Sequence, residues 1–428
     1  MKIAMKKRLY QIILSLFLIS TFSIKAQNKI LFDATKAEMA GSADWVIDAD
    51  SHNIFFSSST HLPYTSTGTG QSNPQRLPIP AQSTVTSSTL ETYWEGSLSA
   101  MAIDCVKQGY TVETLPYNSQ ITYGNSANVQ DLSNYKVFVV DEPNISFSAT
   151  EKTAIINFVA NGGGLMMISD HTISDRNNDG IDSPAAWNDL LTSNTVLNNP
   201  FGISFDLVNI SGSSTAVASL TSTSPYYSIL HGPIGNPSQV LWTNGTTMTL
   251  NTTANSSVKG LVFKSGSSTT GTTNVMVAAA TYQSGKVFAM GDSSPLDDGT
   301  GDPGDTLYNG YTSDASGNHR ILLLNAIIWM MTPNLTTNDF TFDESHFTIA
   351  PNPTQDKQIH FTFSLNEVQN ATVSIIDTLG RTVKKSNLSE LSTGINYHSI
   401  DASDLQAGLY ICKLATPTAS KSLQVIVK

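Results

Sequence analysis

The stretch Gly162–Asp182, GGGLMMISDHTISDRNNDGID, decides how this chain is read. A glycine turn leads into a short apolar run, Leu165–Ile168, which stops abruptly at Ser169, Asp170 and His171. An unbroken apolar run bounded by turn residues is what a strand buried on both faces looks like. Open α/β sheets bind their ligands beyond the carboxyl ends of such strands. Asp170 and His171 are therefore candidate catalytic groups.

Reading outward, the same pattern recurs. Tyr135–Val140 is an apolar strand that ends in Asp141 and Glu142. Ser148 followed by Glu151 is a capping box, and Asn161-Gly162 stops the helix it opens. Lys29–Phe32 is a strand that ends in Asp33. Asn274–Tyr282 and Lys286–Met290 flank a Gln-Ser-Gly turn as a β-hairpin, and the second arm ends in Gly291, Asp292 and Ser293. Helices are expected over Leu90–Gln108, from Pro184 onward, and over Asn318–Met331. Short runs such as Ile203–Val208, Val240–Trp242 and Gly260–Phe263 read as further strands. The alternation predicts a three-layer, mainly parallel α/β sheet with an antiparallel edge across residues 28–332. A polar linker, 333–345, follows.

If the strands are parallel neighbours, Asp33, Asp141, Asp170, His171, Asp292 and Ser293 meet at one crevice. Carboxylates with one imidazole suit hydrolysis in two ways. A catalytic divalent metal lowers the pKa of a bound water, or His171 acts as general base, oriented by a carboxylate. The competing reading is that Asp and Ser at strand ends cap the following helices. A Ser293–His171 nucleophile pair lacks the G-x-S-x-G elbow that presents such a serine. Asp175, Asn177, Asp179 and Asp182, with Gly180 at the sixth position, match the first half of an EF-hand loop. Position twelve is Ala186, so the expectation is a shorter structural Ca²⁺ loop, against a plain loop of Asx turns. The aspartates of 297–314 lack that spacing and read as a solvated loop.

The chain of 428 residues is long enough for two or three folded units. Its net charge is -11, and removing residues 1–26, with five basic and no acidic side chains, leaves -16. That disfavours nucleic acid as a partner, since backbone binding needs clustered Lys and Arg. Residues 1–26 themselves read as a secretory signal peptide cleaved after Ala26, and no later run is long enough to span a bilayer. The two cysteines, Cys105 and Cys412, fall in different predicted domains, which argues against a disulfide. The Ser/Thr/Gly/Pro-rich region 53–89 is a long surface or binding loop.

Residues 346–428 read as a β-sandwich of alternating strands. They resemble the type A C-terminal sorting domain of the type IX secretion system of Bacteroidota. The resemblance rests on Pro351-Asn352-Pro353, Asp377 to Arg381 with Val383, Leu405 to Tyr410, and the basic end at Lys421 and Lys428. It implies the type IX secretion machinery as a partner, and a secreted or outer-surface location. Residues 28–332 resemble the class I glutamine-amidotransferase-like group through Asp33, Gly162 to Gly164, Gly291 to Ser293, and the closing helix around Asn325 and Trp329. That group places a catalytic cysteine at a strand-to-helix elbow, and this chain has none there. A Cys-dependent amidotransferase is therefore not expected. The leading expectation is a secreted hydrolase, metal-assisted or histidine-based, acting on an extracellular polymer. The alternative is a non-catalytic glycan- or surface-polymer-binding protein that uses loop 53–89 and exposed aromatics such as Tyr64 and Trp94.

Overall fold

The structure, a computed structural model, describes residues 28–40, 43–49, 54–64, 74–211, 215–301, 305, 308–312, 317–332, 347–365, 370–378, 380–389, 391–416 and 420–428. The expected signal peptide and the 333–345 linker lie outside these. The chain divides into two compact units, 1–333 and 334–428.

The first unit is built on β1 (Lys29–Asp33), β2 (Thr111–Leu115), β3 (Val137–Asp141), β4 (Gly164–Ile168), β5 (Ile203–Phe205), β6 (Thr215–Val217), β7 (Met248–Leu250), β8 (Lys259–Lys264), β9 (Val275–Tyr282) and β10 (Gly285–Met290). These form one sheet in the order β2-β1-β3-β4-β10-β9-β8-β6, with β7 joining β9 and β5 joining β7. The strands from β2 to β10 in that order are mutually parallel, and the rest of the pairings are antiparallel. The expected α/β sheet with an antiparallel flank is therefore present. Every residue of β3, β4 and β10 is buried, which is why their sequences read as near-continuous apolar runs.

The longer helices are α1 (Ser99–Lys107), α2 (Ala149–Ala160), α3 (Ser183–Thr192) and α5 (His319–Met331), with α4 (Tyr227–Leu230) a single turn. α2 begins at the expected capping box: Ser148 Oγ accepts from the Glu151 N–H, and Glu151 Oε2 accepts from the Ser148 N–H. Helices cover both faces of the sheet. Consecutive strand residues point to opposite faces. A Cβ on Gly285 would meet the Val159 carbonyl of α2, while the next residue, Lys286, donates from Nζ to the carbonyls of Trp329 and Thr332 at the end of α5.

Two expectations need correction. The helix expected over Leu90–Gln108 is reduced to α1, with a 3-10 turn at Glu91–Tyr93. Tertiary contacts override the helical spacing: Leu98 N–H donates to the Val46 carbonyl, Ser99 Oγ donates to the Glu91 carbonyl, and Gly96 lies where a Cβ would sit 2.1 Å from Val46 O. Val240 and Trp242 are buried and Leu241 half-buried, but the run forms no strand. Its Leu241 N–H donates to His319 Nε2 instead of to a neighbouring strand.

The second unit has two antiparallel sheets. β11 (Thr348–Ile349), β12 (Gln358–Leu365) and β15 (Gly394–Asp401) form one; β14 (Thr382–Leu388), β13 (Ala371–Ile376), β16 (Gly408–Ala415) and β17 (Ser420–Val427) form the other. Their inward residues, among them Phe361, Phe363, Val373, Ile375, Leu414 and Val425, share one apolar cluster.

The turn between β9 and β10 gives a direct test of the α2–sheet packing. An Ala Cβ at Gly285 would lie 1.8 Å from Val159 O and 2.6 Å from Gly163 O. We expect Gly285→Ala to lower the stability of the first unit by about 3 kcal/mol, since backbone on both sides must move. A denaturant midpoint equal to wild type would show that α2 does not close against this turn.

Candidate functional site at the carboxyl edge

The parallel neighbours β1, β3, β4 and β10 end on one edge, and each delivers a carboxyl group there: Asp33, Asp141, Asp170 and Asp292. The structure therefore brings the strand-end residues to a common rim. All of them are buried, as are Glu142 and Ser293.

The hub is Glu142, one residue beyond β3. Its backbone is left-handed, φ 50°, and its N–H donates to the Ile168 carbonyl at the end of β4. A non-glycine residue in that region carries strain. The turn aims the side chain into the edge. Oε2 accepts from Trp45 Nε1 at 2.8 Å and from Ser293 Oγ at 2.7 Å. Oε1 accepts from Arg176 Nε at 2.8 Å, and the same guanidinium donates from Nη2 to Asp170 Oδ2 at 2.7 Å. Asn144 steadies both partners: its Nδ2 donates to the Glu142 carbonyl and its Oδ1 accepts from the Arg176 N–H.

His171 is part-exposed beside this group. Its Nδ1 lies 2.6 Å from the Thr172 carbonyl and 3.0 Å from Asn209 Nδ2. Its Nε2 is 3.7 Å from Asp170 Oδ2, beyond hydrogen-bond range in this conformation. Ser293 donates to Glu142, so the Ser293–His171 pair is not assembled. Asp292 accepts the N–H groups of Thr243 and Ser294. Neither oxygen of Asp141 has a hydrogen-bond partner among the described residues.

Burial and mutual repulsion push these carboxyls upward. Burial is the largest cause for Asp170 and Asp141, which lie well above the usual range; the charges of Glu142 and Asp292 add to both, and Arg176 opposes at Asp170. Asp292 is raised to about 7, chiefly by burial. At the end of β1, burial raises Asp33 to about 6 against the pull of Lys36, and Glu38 beside it goes well above its usual value for the same reason. Perturbed groups of this kind concentrate at functional sites.

The metal expectations gain nothing here. Among the described residues, no group of three or more His, Cys, Asp or Glu is arranged to hold an ion. In the proposed calcium loop, the carboxylate oxygens mostly accept backbone N–H groups, while the buried Asn177 Oδ1 has no hydrogen-bond partner among the described residues. Asp175 accepts from the N–H groups of Asp179 and Gly180, and Asp179 accepts from Ile181. Asp182 caps α3 through Ala185 and also accepts from Ile173. Asn177 donates to the His61 carbonyl, while His61 Nδ1 lies 3.0 Å from the Asn177 carbonyl. These are Asx turns and a cap.

Two readings change further. Asp297 and Asp298 are 1% and 3% exposed and organise their loop, not a solvated rim: Asp298 accepts from the Ala100 N–H at the start of α1, and Asp297 from Tyr308. Trp94 is fully buried, with Nε1 donating to the Pro80 carbonyl, so it offers no surface aromatic. Tyr64 is exposed, as are Phe55 and Leu62 of the same ribbon. Arg176 and Trp45 are the site residues that sequence reasoning missed. Arg176 stands inside the acidic spacing pattern, and nothing local marks Trp45.

Comparison with known proteins now bears on the chain. Residues 348–428 match the family of secretion system C-terminal sorting domains. That assigns the second unit to the type IX sorting domains, and the chain to export by that system toward the cell surface or medium. No curated relative matches the chain. A solved structure described as the mmIFT52 N-terminal domain is similar at 12% identity and a TM-score of 0.40, covering 72% of this chain and 99% of that one. The glutamine-amidotransferase-like resemblance gains no support from these matches. No helix of the described residues is long and apolar enough to cross a membrane.

The raised carboxyls carry a pH signature. Asp33, Asp292, Asp297 and Asp298 rise from 3.8 to between about 6 and about 7 in the fold. The folded unit thus holds more protons than the unfolded chain across that interval. This stabilisation is full below the unfolded value and is lost as pH rises through the folded values. We expect the Tm of the first unit to fall between about pH 4 and about pH 7, and Asp292→Asn to flatten the slope. A wild-type Tm that climbs steadily over the interval would contradict the burial of these groups.

Proposed function

We propose that the exported protein is a hydrolase of an extracellular polymer, with its reaction centre at the carboxyl edge. The observation that carries this reading is the strained elbow at Glu142. A buried glutamate in a left-handed turn, gripped by Trp45, Ser293 and Arg176, costs conformational energy that the sheet itself does not require. Its effect is to hold Arg176 and Asp170 beside the part-exposed His171. In the proposed chemistry Asp170, whose carboxyl burial and acidic neighbours push toward the neutral form against the pull of Arg176, is the proton donor to a leaving group. His171 takes a proton from the attacking water through Nε2, once that atom is freed toward solvent. Arg176 places positive charge where negative charge develops on the substrate. Asp141 and Asp292 sustain the acidic field, and Ser293 orients Glu142.

The glutamine-amidotransferase-like reading belongs to the same proposal. It is supported by the parallel strand order, and the central strand leads into Asp170 and His171 with no cysteine at the elbow. Metal assistance is left out of the proposal: among the described residues, no group of three or more His, Cys, Asp or Glu is arranged to hold an ion.

The purified protein is to be screened on ester, glycoside, phosphoester and peptide substrates. Asp170→Asn and His171→Ala should each lower kcat/KM about 100-fold or more; His171→Ala should leave Tm nearly unchanged, while Asp170→Asn should also lower it, because Arg176 loses a carboxyl partner. Loss of stability without any activity in wild type would leave the edge a structural network, and would favour a binding role for the exposed ribbon at Phe55, Leu62 and Tyr64. For export, deleting residues 346–428 should trap the first unit in the periplasm; normal secretion of the truncated chain would sink that half of the reading.

A further inference from the structure

The sorting unit has an outer surface that its own fold leaves unpartnered. Along β13, β16 and β17 the side chains alternate, with Val373, Ile375, Cys412, Leu414 and Val425 facing inward and fully buried. The outward set on a sheet of this kind is normally polar. Here one end of it is aliphatic. Leu409 stands directly opposite Ile426, and Ile411 directly opposite Ile376. Leu409, Ile411 and Ile426 are 44%, 39% and 44% exposed. Leu409 and Ile411 lie two residues apart on the same face of β16, so the two opposed pairs cluster on one face, with Gln424 beside Ile411 on β17. The next row along the sheet is Lys413, with Ser374 opposite it on β13 and Lys385 beyond on β14. The patch is thus apolar with a lysine border. The outer face of the other sheet differs: along β12 it presents Gln358, His360, Thr362 and Ser364, and its exposed apolar residues, Ile395 and Tyr397, lie on the edge strand β15.

We propose that this aliphatic face is where a component of the type IX secretion machinery grips the protein, through an apolar groove flanked by carboxylates. A sorting domain must be recognised by a partner outside the chain, and the match over residues 348–428 places that recognition on this unit. Contiguous exposed aliphatic surface on an otherwise polar sheet marks an interaction site. The lysine border gives the partner its charge. Residues 347–428 carry seven basic and six acidic side chains, so the net negative charge of the mature chain lies outside them. An acidic groove would then attract the sorting unit and repel the unit it draws along. The inference rests on the export assignment and is independent of the hydrolytic reading.

The test uses the full chain in a bacterium that carries a type IX system, reading the fraction of protein outside the cell. A Leu409→Ser, Ile411→Ser, Ile426→Ser triple variant should lose at least tenfold in secreted fraction and accumulate in the periplasm. An Ile395→Ser, Tyr397→Ser control on the other sheet should be exported as wild type. A second variant, Lys385→Glu with Lys413→Glu, alters only the border and guards against misfolding of the first; it too should reduce export. Normal export of either the triple or the lysine variant overturns the proposal, as does an equal block in the control. A wild-type dimer that the triple variant dissolves, with export unchanged, would make the face a contact between copies of the chain. If the truncated chain lacking 346–428 is itself secreted, the export assignment fails, and that result is read separately from the others.

Discussion

One guanidinium holds the carboxyl edge together. Arg176 reaches Glu142 with Nε and Asp170 with Nη2, at 2.8 and 2.7 Å, in a setting where Asp141, Asp292 and Asp297 add further buried acid. Like charges so placed would tear the strand ends apart or take up protons. The fold does both in part: several of the carboxyls are pushed toward their neutral forms, and the arginine offsets the rest. Lysine would not serve. A forked, permanently charged donor can address two carboxyl groups at once, whereas an ammonium is a point charge that deprotonates when buried. Breaking such a contact leaves buried charge without its partner, which is more costly than never having buried it.

The backbone around the arginine is correspondingly stiff. The loop from His171 to Asp182 has little secondary structure, yet most of its turns are closed by a side chain. Asp175 binds two amides ahead of it, Asp179 one, and Asp182 both closes the loop at Ile173 and opens α3. The ribbon around Phe56 and Pro63 clamps the loop from outside through the His61–Asn177 exchange. Alternating acidic spacing thus has a mechanical outcome: it keeps Arg176 at a fixed distance from β3 and β4. A loop built this way can present His171 at the rim without moving the buried acids beneath it.

What could be read in the sequence was local or periodic. Continuous apolar runs located β3, β4 and β10, because burial on both faces leaves no room for alternation. Ser148 with Glu151, and Pro184 in the first turn of α3, marked helix starts through features confined to a few residues. What stayed hidden depends on contacts across tens of residues. Asp141 and Glu142 are adjacent, and sequence reasoning weighted Asp141. A left-handed turn, invisible in composition, makes Glu142 the hub and leaves Asp141 without partners. Trp94 keeps helical spacing with Leu98 and Met101, but its indole N–H is taken by the Pro80 carbonyl, and the helix begins only at Ser99. Asp297 and Asp298 look like solvent residues until α1, some two hundred positions earlier, supplies the amide that Asp298 accepts.

The two cysteines show why the units can be considered separately. Cys105 is buried on α1 and Cys412 on β16; both are free, and burial raises both thiols, Cys412 to about 12. Thiols so suppressed are slow nucleophiles for disulfide exchange, even outside the cell. No cross-link between them ties the units, and each has its own apolar cluster. Stability in each then comes from its own packing, as expected of domains able to fold alone. For an exported chain this separation has a consequence. The sorting unit can be read from its own surface whatever lies before it, and the acidic, strained edge of the first unit can change its chemistry without altering how the protein leaves the cell.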